Sequence, residues 1–598
     1  MMVSRLSCLV VLASILEQVT NAFIIPQVFS SENEESGLRE IELGELNFLH
    51  TTDTHGWYGS HTGQPAYDAD WGDFISFIEH FQQNRINADP KHKRDLILID
   101  TGDKHDGNGL ADATYPNGLE STHIFNSVNY DLLTLGNHEL YTAERAVFEY
   151  YSTAKSDKFK DKYVSSNVEF IDEDGETVPF GNKYVSFTTK HTKHKVLALS
   201  FIFNFRKTND RAIVTPVRDE VHKKWFQEML KEFPPSKLDL ILVFGHLPAT
   251  DPNEREINAL HEYLRLLYPA TVIQYFGGHS HIRDFVQLDA RSTCLQSGRF
   301  AETVGFLSID GIKSPSHNPK FFRRYIDFNK KSFKFHAFTK HLYTKIGKHV
   351  SNKVQSLKKI LELDFQFGHV PRTYFMAARP LDADDNIYNL FKTAILQRLH
   401  PTNPTANKQR MVMMNTGAIR YDMFKGPFTK NTEFIVLPFE NNWNVIKLPF
   451  KIASKIEGYL NELPYIVKGL APPEVASERL KMLERPIACP IVNVPWLKEG
   501  HSTRDDFGCD GDDTPHNTET LYPIPNVIQT SNVVSEDKDA EVDFVFFSFL
   551  TADILLAANA IGRNEIPLFH NYTLSHIHDY GGQSAKMLLR EYIMEISK

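Results

Sequence analysis

The chain has 598 residues, a net charge of −10, and 41% hydrophobic and 23% charged residues. That length accommodates two or more domains with sizeable cores, and that composition excludes a disordered chain. The acidic balance, without any long basic block, argues against a protein that grips the nucleic-acid backbone, so no nucleic-acid partner is expected.

In chain order, the first element is a targeting segment. Arg5 precedes the short apolar run "LSCLVVLASIL", and "VTNA" closes it with small residues. This pattern predicts a cleaved secretory signal over residues 1–22, with a retained signal anchor as the alternative. The run is short for a bilayer span, and no other stretch is long and apolar enough to replace it. A secreted, cell-surface or vacuolar protein with no stable membrane span after cleavage is therefore expected. Cysteine usage fits that route. Cys489 and Cys509 flank a segment rich in Pro and Asp, and a disulfide between them would stabilise by about 3 kcal/mol on the chain-entropy account. Cys294 is then expected as a buried free thiol. Asn571 opens a glycosylation sequon, Asn571-Tyr572-Thr573.

From about 45 to 310, strand and helix patterns alternate. The strands are "LNFLHTTD", "RDLILIDTGD", "YDLLTLGNHE", "KVLALSFIFNF", "LDLILVFGHLP" and "ATVIQYFGGHSH"; helical patterns such as "DFISFIEHFQQN" and "DEVHKKWFQEML" lie between them. Apolar strands with helical crossovers predict an α/β layered sheet covered on both faces, with ligands at the C-terminal strand ends. The spacing predicts a catalytic domain over 40–335 and a solvated Lys-rich linker helix over 336–364. A second mixed domain follows over 365–598. In it "NIYNLFKTAILQRL" and "FKIASKIEGYLNEL" read as helices, and "RMVMMNTGAIR", "TEFIVLPFENN" and "VDFVFFSFL" as strands. Residues 465–530, rich in Pro, Asp and Thr, read as a long surface insertion.

The strand ends carry one kind of residue five times over. They hold Asp53 and His55; Asp103 in "DTGDKHDG"; Asn137 and His138 in "LGNHE"; His246 in "FGHLP"; and His279 and His281 in "GGHSH". Asp-Gly and Asn-His are ordinary loop dipeptides taken singly. Five in series at one sheet edge instead predict a metal cluster. Two divalent ions about 4 Å apart repel each other, and a carboxylate between them offsets much of that repulsion. Asp103, a lone Asp after glycine, is the expected bridge. Asp53, His55 and one later histidine would complete one site; Asn137, His246 and another histidine would complete the second. Mixed oxygen and nitrogen donors suit two transition metal ions, Zn, Mn or Fe, rather than Mg or Ca. Such a pair activates water and clamps an in-line displacement at phosphorus. His138 is expected to face the phosphate, steadying charge or protonating the leaving oxygen.

The order D-x-H, GD, GNHE, GH, GHSH resembles the calcineurin-like metallophosphoesterase superfamily, and "HTTDTHG", "LGNHE" and "GGHSH" resemble its 5′-nucleotidase / UDP-sugar hydrolase family. The resemblance implies an αββα sandwich followed by a C-terminal mixed α/β substrate domain, and a hydrolase acting on a small phosphate ester such as a nucleotide. "MNTGAIR" is similar to the family's N-x-G-x-x-R stretch through Asn415, Gly417 and Arg420, which implies that Asn415 and Arg420 meet the substrate and that Arg420 grips phosphate. "LPFENN" resembles the loop whose aromatic ring stacks on the base, which implies that role for Phe439. The bland readings are a loop cap for Arg420 and a core position for Phe439. One position departs from the family. Tyr141 stands three residues after His138, where an Asp usually orients the histidine. The second stacking aromatic is left open between "VDFVFFSF" and "HDYGGQS". Two alternatives to a nucleotidase are a cyclic-nucleotide phosphodiesterase or general phosphomonoesterase, and a non-catalytic binding protein on the same fold.

Overall fold

The computed structural model describes residues 38–251, 254–314, 317–402, 409–463, 511–514, 522–534 and 537–598. The N-terminal targeting segment, Cys489, Cys509 and most of the 465–530 stretch lie outside the described residues. Cys294 is a buried free thiol. No helix of the described residues is long and apolar enough to cross a membrane.

The N-terminal half is a four-layer sandwich. One five-stranded sheet runs, edge to edge, Lys320–Asp327, Thr303–Asp310, Leu46–Thr51, Asp95–Asp100 and Leu132–Leu133. A six-stranded sheet runs Arg283–Asp289, Ser292–Ser297, Val272–Gly277, Leu240–His246, Lys195–Ile202 and Val185–Thr188. The period-2 alternation decides what each side chain meets. Leu46, Phe48, Ile97 and Ile99 of one sheet pack against Leu240, Leu242, Phe244 and Val272 of the other. The intervening residues point outward. Leu49 and Leu98 meet helix Trp71–Phe81, while Ile241 and Ile273 meet helices Lys224–Glu232 and Glu256–Leu267. The strands are thus covered on both faces as expected, but one cover is a second sheet rather than a helix layer. The "YDLLTLGNHE" stretch forms only a two-residue strand, and the rest of it is loop and a single turn.

The 336–364 stretch contains helix Lys345–Ile360, which is not solvated all round. Its Gly347, Val350, Val354 and Leu357 are buried against helix Trp71–Phe81. The contact is backbone to backbone: a Cβ at Gly72 would lie 2.2 Å from the carbonyl oxygen of Gly347 and 2.5 Å from the amide nitrogen of Ser351. Substitution Gly72→Ala forces the two helices apart. The expected loss is about 1–3 kcal/mol, read as a lower midpoint in thermal or urea unfolding; an unchanged midpoint would mean that the helices tolerate the methyl.

The C-terminal half is built on a sheet ordered Val527–Ser531, Arg410–Asn415, Glu541–Phe547, Trp443–Pro449 and Ile577–Asp579. Helices Phe450–Glu462 and Thr551–Glu565 cover one face, and helix Ala585–Ile596 the other. Two expectations are corrected here. "TEFIV" is not a strand: Lys430–Val436 is a helix, started by Thr429 and Thr432, which cap each other's backbone. The end of the 465–530 stretch is not surface loop, because Val527–Ser531 pairs with Arg410–Asn415. Residues 511–514 also turn back onto the N-terminal half. Tyr325 exchanges backbone hydrogen bonds with Gly511 and Asp513 at 2.7 and 2.9 Å. The fully buried Asp513 carboxylate lies 3.1 Å from His336 Nε2, and Asp512 lies 3.4 Å from Arg283.

Candidate metal and phosphate site

Five strand ends of the sandwich converge at one edge, where its two sheets meet. Asp53, His55, Asp103 and His281 bring one donor atom each within 4.8 Å of one another, as do Asp103, His246 and His279. Asp103 belongs to both groups, the position expected of a bridge. The later histidines divide as His281 with the first group and His279 with the second. All of these residues and Asn137 are buried. Several take a left-handed backbone: φ is 49° at Asp53, 45° at His55, 60° at Asp103, 76° at His279 and 61° at His281. Non-glycine residues are rarely held there unless the surrounding structure over-determines them, and such residues gather at functional sites. The glycines beside them clear space: a Cβ at Gly136 would lie 2.2 Å from Asp103 Oδ1.

The donor set fits cations on its own evidence. The buried Asn137 Oδ1 and His279 Nε2 make no hydrogen bond, a costly state for polar atoms unless something else meets them; His246 Nε2 and Asp103 Oδ2 face each other at 2.8 Å. His55 Nε2 and His281 Nε2 lie 3.0 Å apart. His55 gives its Nδ1–H to the carbonyl of His105, and His246 gives its own to the carbonyl of Thr101 at 2.8 Å, so both turn Nε2 inward. The electrostatics agree. Burial works to raise Asp53 and Asp103, yet the adjacent histidines hold both carboxyls well below the usual range. Burial pushes His279 down to about 3, with His246 adding to it. His246 goes the other way: burial opposes its charge, but Asp103 and Asp53 hold it up to about 10. Two ionised carboxylates thus keep a proton where a cation fits.

His138 stands beside this cluster. Its backbone N–H donates to Asp103 Oδ1 at 2.9 Å, and its Nε2 lies 3.7 Å from Asp103 Oδ2. Its ring lies 6.0 Å from that of Phe439, in stacked orientation. Asn415, Gly417, Arg420 and Phe439 line one cavity of about 400 Å³ between the two halves, with Tyr141 and Arg145 opposite. Arg420 is buried, its Nη2 is 3.3 Å from His55 Nε2, and burial lowers its pKa. Asn415 Oδ1 is buried without a hydrogen bond. Phe439 is half-buried, neither a core ring nor a free one. Asn571 is exposed.

Two residues of this site, Asp106 and Arg145, escaped the sequence reading, and a third was left open between two stretches. Phe549, at the end of "VDFVFFSF", lines the same cavity as Phe439; of the two stretches left open for a second aromatic, it is this one that reaches the cavity. Asp106 and Arg145 lie beside His138: Asp106 Oδ2 is 2.7 Å from His138 Nδ1 and 2.6 Å from Arg145 Nη1. The available signal was Asp106-Gly107, which repeats the aspartate–glycine punctuation of the other strand ends.

Comparisons with known proteins agree with this construction. Residues 46–283 match the calcineurin-like phosphoesterase family, and residues 373–555 match the NAD nucleotidase C-terminal domain. The first match implies divalent metal ions, for which the two donor groups form a possible site. The chain is 49% identical to the Saccharomyces cerevisiae protein YHR202W, over the whole of both chains. It is 36% identical to a protein of Arthroderma benhamiae named a secreted protein, over 93% of this chain and 90% of that one. A crystal structure of a 5′-nucleotidase from Candida albicans is 40% identical, with a TM-score of 0.82 over 93% of this chain and 99% of that one. Sequence, fold and full-length similarity converge: the chain belongs to the 5′-nucleotidase family of the calcineurin-like metallophosphoesterases and is a hydrolase of phosphoric ester bonds.

Proposed function

We propose that the chain hydrolyses nucleotide-like phosphate monoesters. In this reading Asp53, His55, Asp103 and His281 hold one divalent transition metal ion, and Asp103, Asn137, His246 and His279 hold a second, with Zn, Mn or Fe suiting the donors. When bound, such a pair lowers the pKa of water and polarises the phosphoryl oxygens. The observation that carries the reading is that Arg420 lines the aromatic cavity and also reaches within 3.3 Å of His55. A phosphate held by its guanidinium lies beside the donor cluster while the rest of the ester extends between Phe439 and Phe549. Arg420 orients the phosphate through its planar fork. His138 presents Nε2 to the same place and gives its proton to the leaving oxygen as the phosphorus–oxygen bond breaks. The chain then travels the secretory route, a reading supported by its apolar N-terminus, the exposed Asn571 and the secreted name of the Arthroderma relative.

The test is Phe439→Ala on full-length protein, with AMP and a small aryl phosphate. Base–aromatic stacking contributes about 1–3 kcal/mol, so KM for AMP is expected to rise roughly fivefold to a hundredfold. The kcat/KM for the aryl ester, which has no base, is expected to stay unchanged. Equal losses on both would make Phe439 a structural residue, and no loss on either would favour a general phosphomonoesterase.

A further inference from the structure

We infer that Asp106 is the positioning residue for His138, taking over the work of the carboxylate that the sequence lacks at position 141. The inference rests on the reading of His138 as the group that protonates the leaving oxygen. Tyr141, three residues after His138, makes no hydrogen bond to it. Its hydroxyl instead accepts the Nδ2–H of Asn137 at 2.9 Å, which leaves Asn137 Oδ1 as the unpaired atom. Its ring stands edge-on to His138 at 4.6 Å. The carboxylate comes from another loop altogether, 32 residues earlier in the chain. Asp106 Oδ2 accepts the Nδ1–H of His138 at 2.7 Å. That bond fixes which ring nitrogen carries the retained proton and turns Nε2 towards the phosphate.

Asp106 is built to stay in place. It is fully buried, with φ at 68°. Arg145 holds both of its oxygens, at 2.6 and 3.0 Å, and Asn117 Nδ2 donates to Oδ1 at 3.2 Å. Beneath it, Asp112 accepts the backbone N–H groups of Asp106, Gly107 and Asn108 at 2.7–2.9 Å. A bidentate guanidinium and a carboxylate-pinned loop leave the Asp106 oxygens one orientation, and with them the imidazole. The residue three positions after His138 and the carboxylate that orients His138 are therefore separate: Tyr141 holds Asn137, and Asp106 orients His138.

The experiment compares two esters on full-length wild type, Asp106→Asn, Asp106→Glu and His138→Gln, with metal content measured on each preparation. A nucleoside 5′-monophosphate expels an alkoxide that needs a proton, whereas p-nitrophenyl phosphate expels a stable phenolate that does not. Asp106→Asn is expected to lower kcat on the nucleotide on the order of 10²-fold with KM and metal stoichiometry unchanged, and to leave the aryl ester within a few-fold of wild type. Asp106→Glu restores the carboxylate and is expected to recover part of the nucleotide rate. Partial folding lowers both rates by one factor and cannot alter their ratio. A wild-type ratio of the two rates in both Asp106 variants overturns the positioning role while the His138 reading stands. Full nucleotide turnover in His138→Gln overturns the reading on which it rests.

Discussion

Asp103→Asn is expected to abolish two-metal occupancy and activity together. Asp103 is common to both donor groups. Its Oδ2 lies 2.8 Å from His246 Nε2 and 3.9 Å from His55 Nε2. Asparagine keeps the shape and one carbonyl oxygen but removes the charge that offsets repulsion between two cations. Losing several kcal/mol of that stabilisation corresponds to a fall of about 10³-fold or more in rate. Elemental analysis of the purified variant, set beside its turnover, decides the matter. Two metals per chain with normal activity would remove Asp103 from the bridge.

His138→Gln has the opposite signature, with metals kept and turnover lost. The imidazole belongs to neither donor group, and its tie to Asp103 runs through the backbone N–H, which glutamine retains. Loss of a positioned proton donor costs about 10²–10⁴-fold. If metal disappears along with activity, His138 is a ligand and the division of roles between it and Asn137 is wrong.

The metal-donor cluster was legible because each of its residues sits where an apolar run ends beside glycine, and parallel strands carry such ends to one edge. What lay behind each strand was not legible. Leu98 and Ile99 are equally apolar, yet one meets a helix and the other the opposite sheet; periodicity reports that a face is covered, not by what. The Lys430–Val436 helix was masked by β-branched and aromatic residues, although Thr429 and Thr432 stand at capping spacing. Asp106 was visible as a residue but not as a partner, since only folding brings it to a histidine on another strand end. Phe549 shared that limit, its place in the cavity depending on how the two halves meet.

The short segment 511–514 has a consequence for the order of synthesis. His336 closes the N-terminal half, but the carboxylate that faces it, Asp513, is 177 residues downstream. At about 5–20 residues per second, that gap takes roughly 9–35 s to translate. Throughout that interval the N-terminal half has its strands but lacks the carboxylate that faces the buried His336. The buried pairing of His336 is therefore completed only when the chain has run well into its second half.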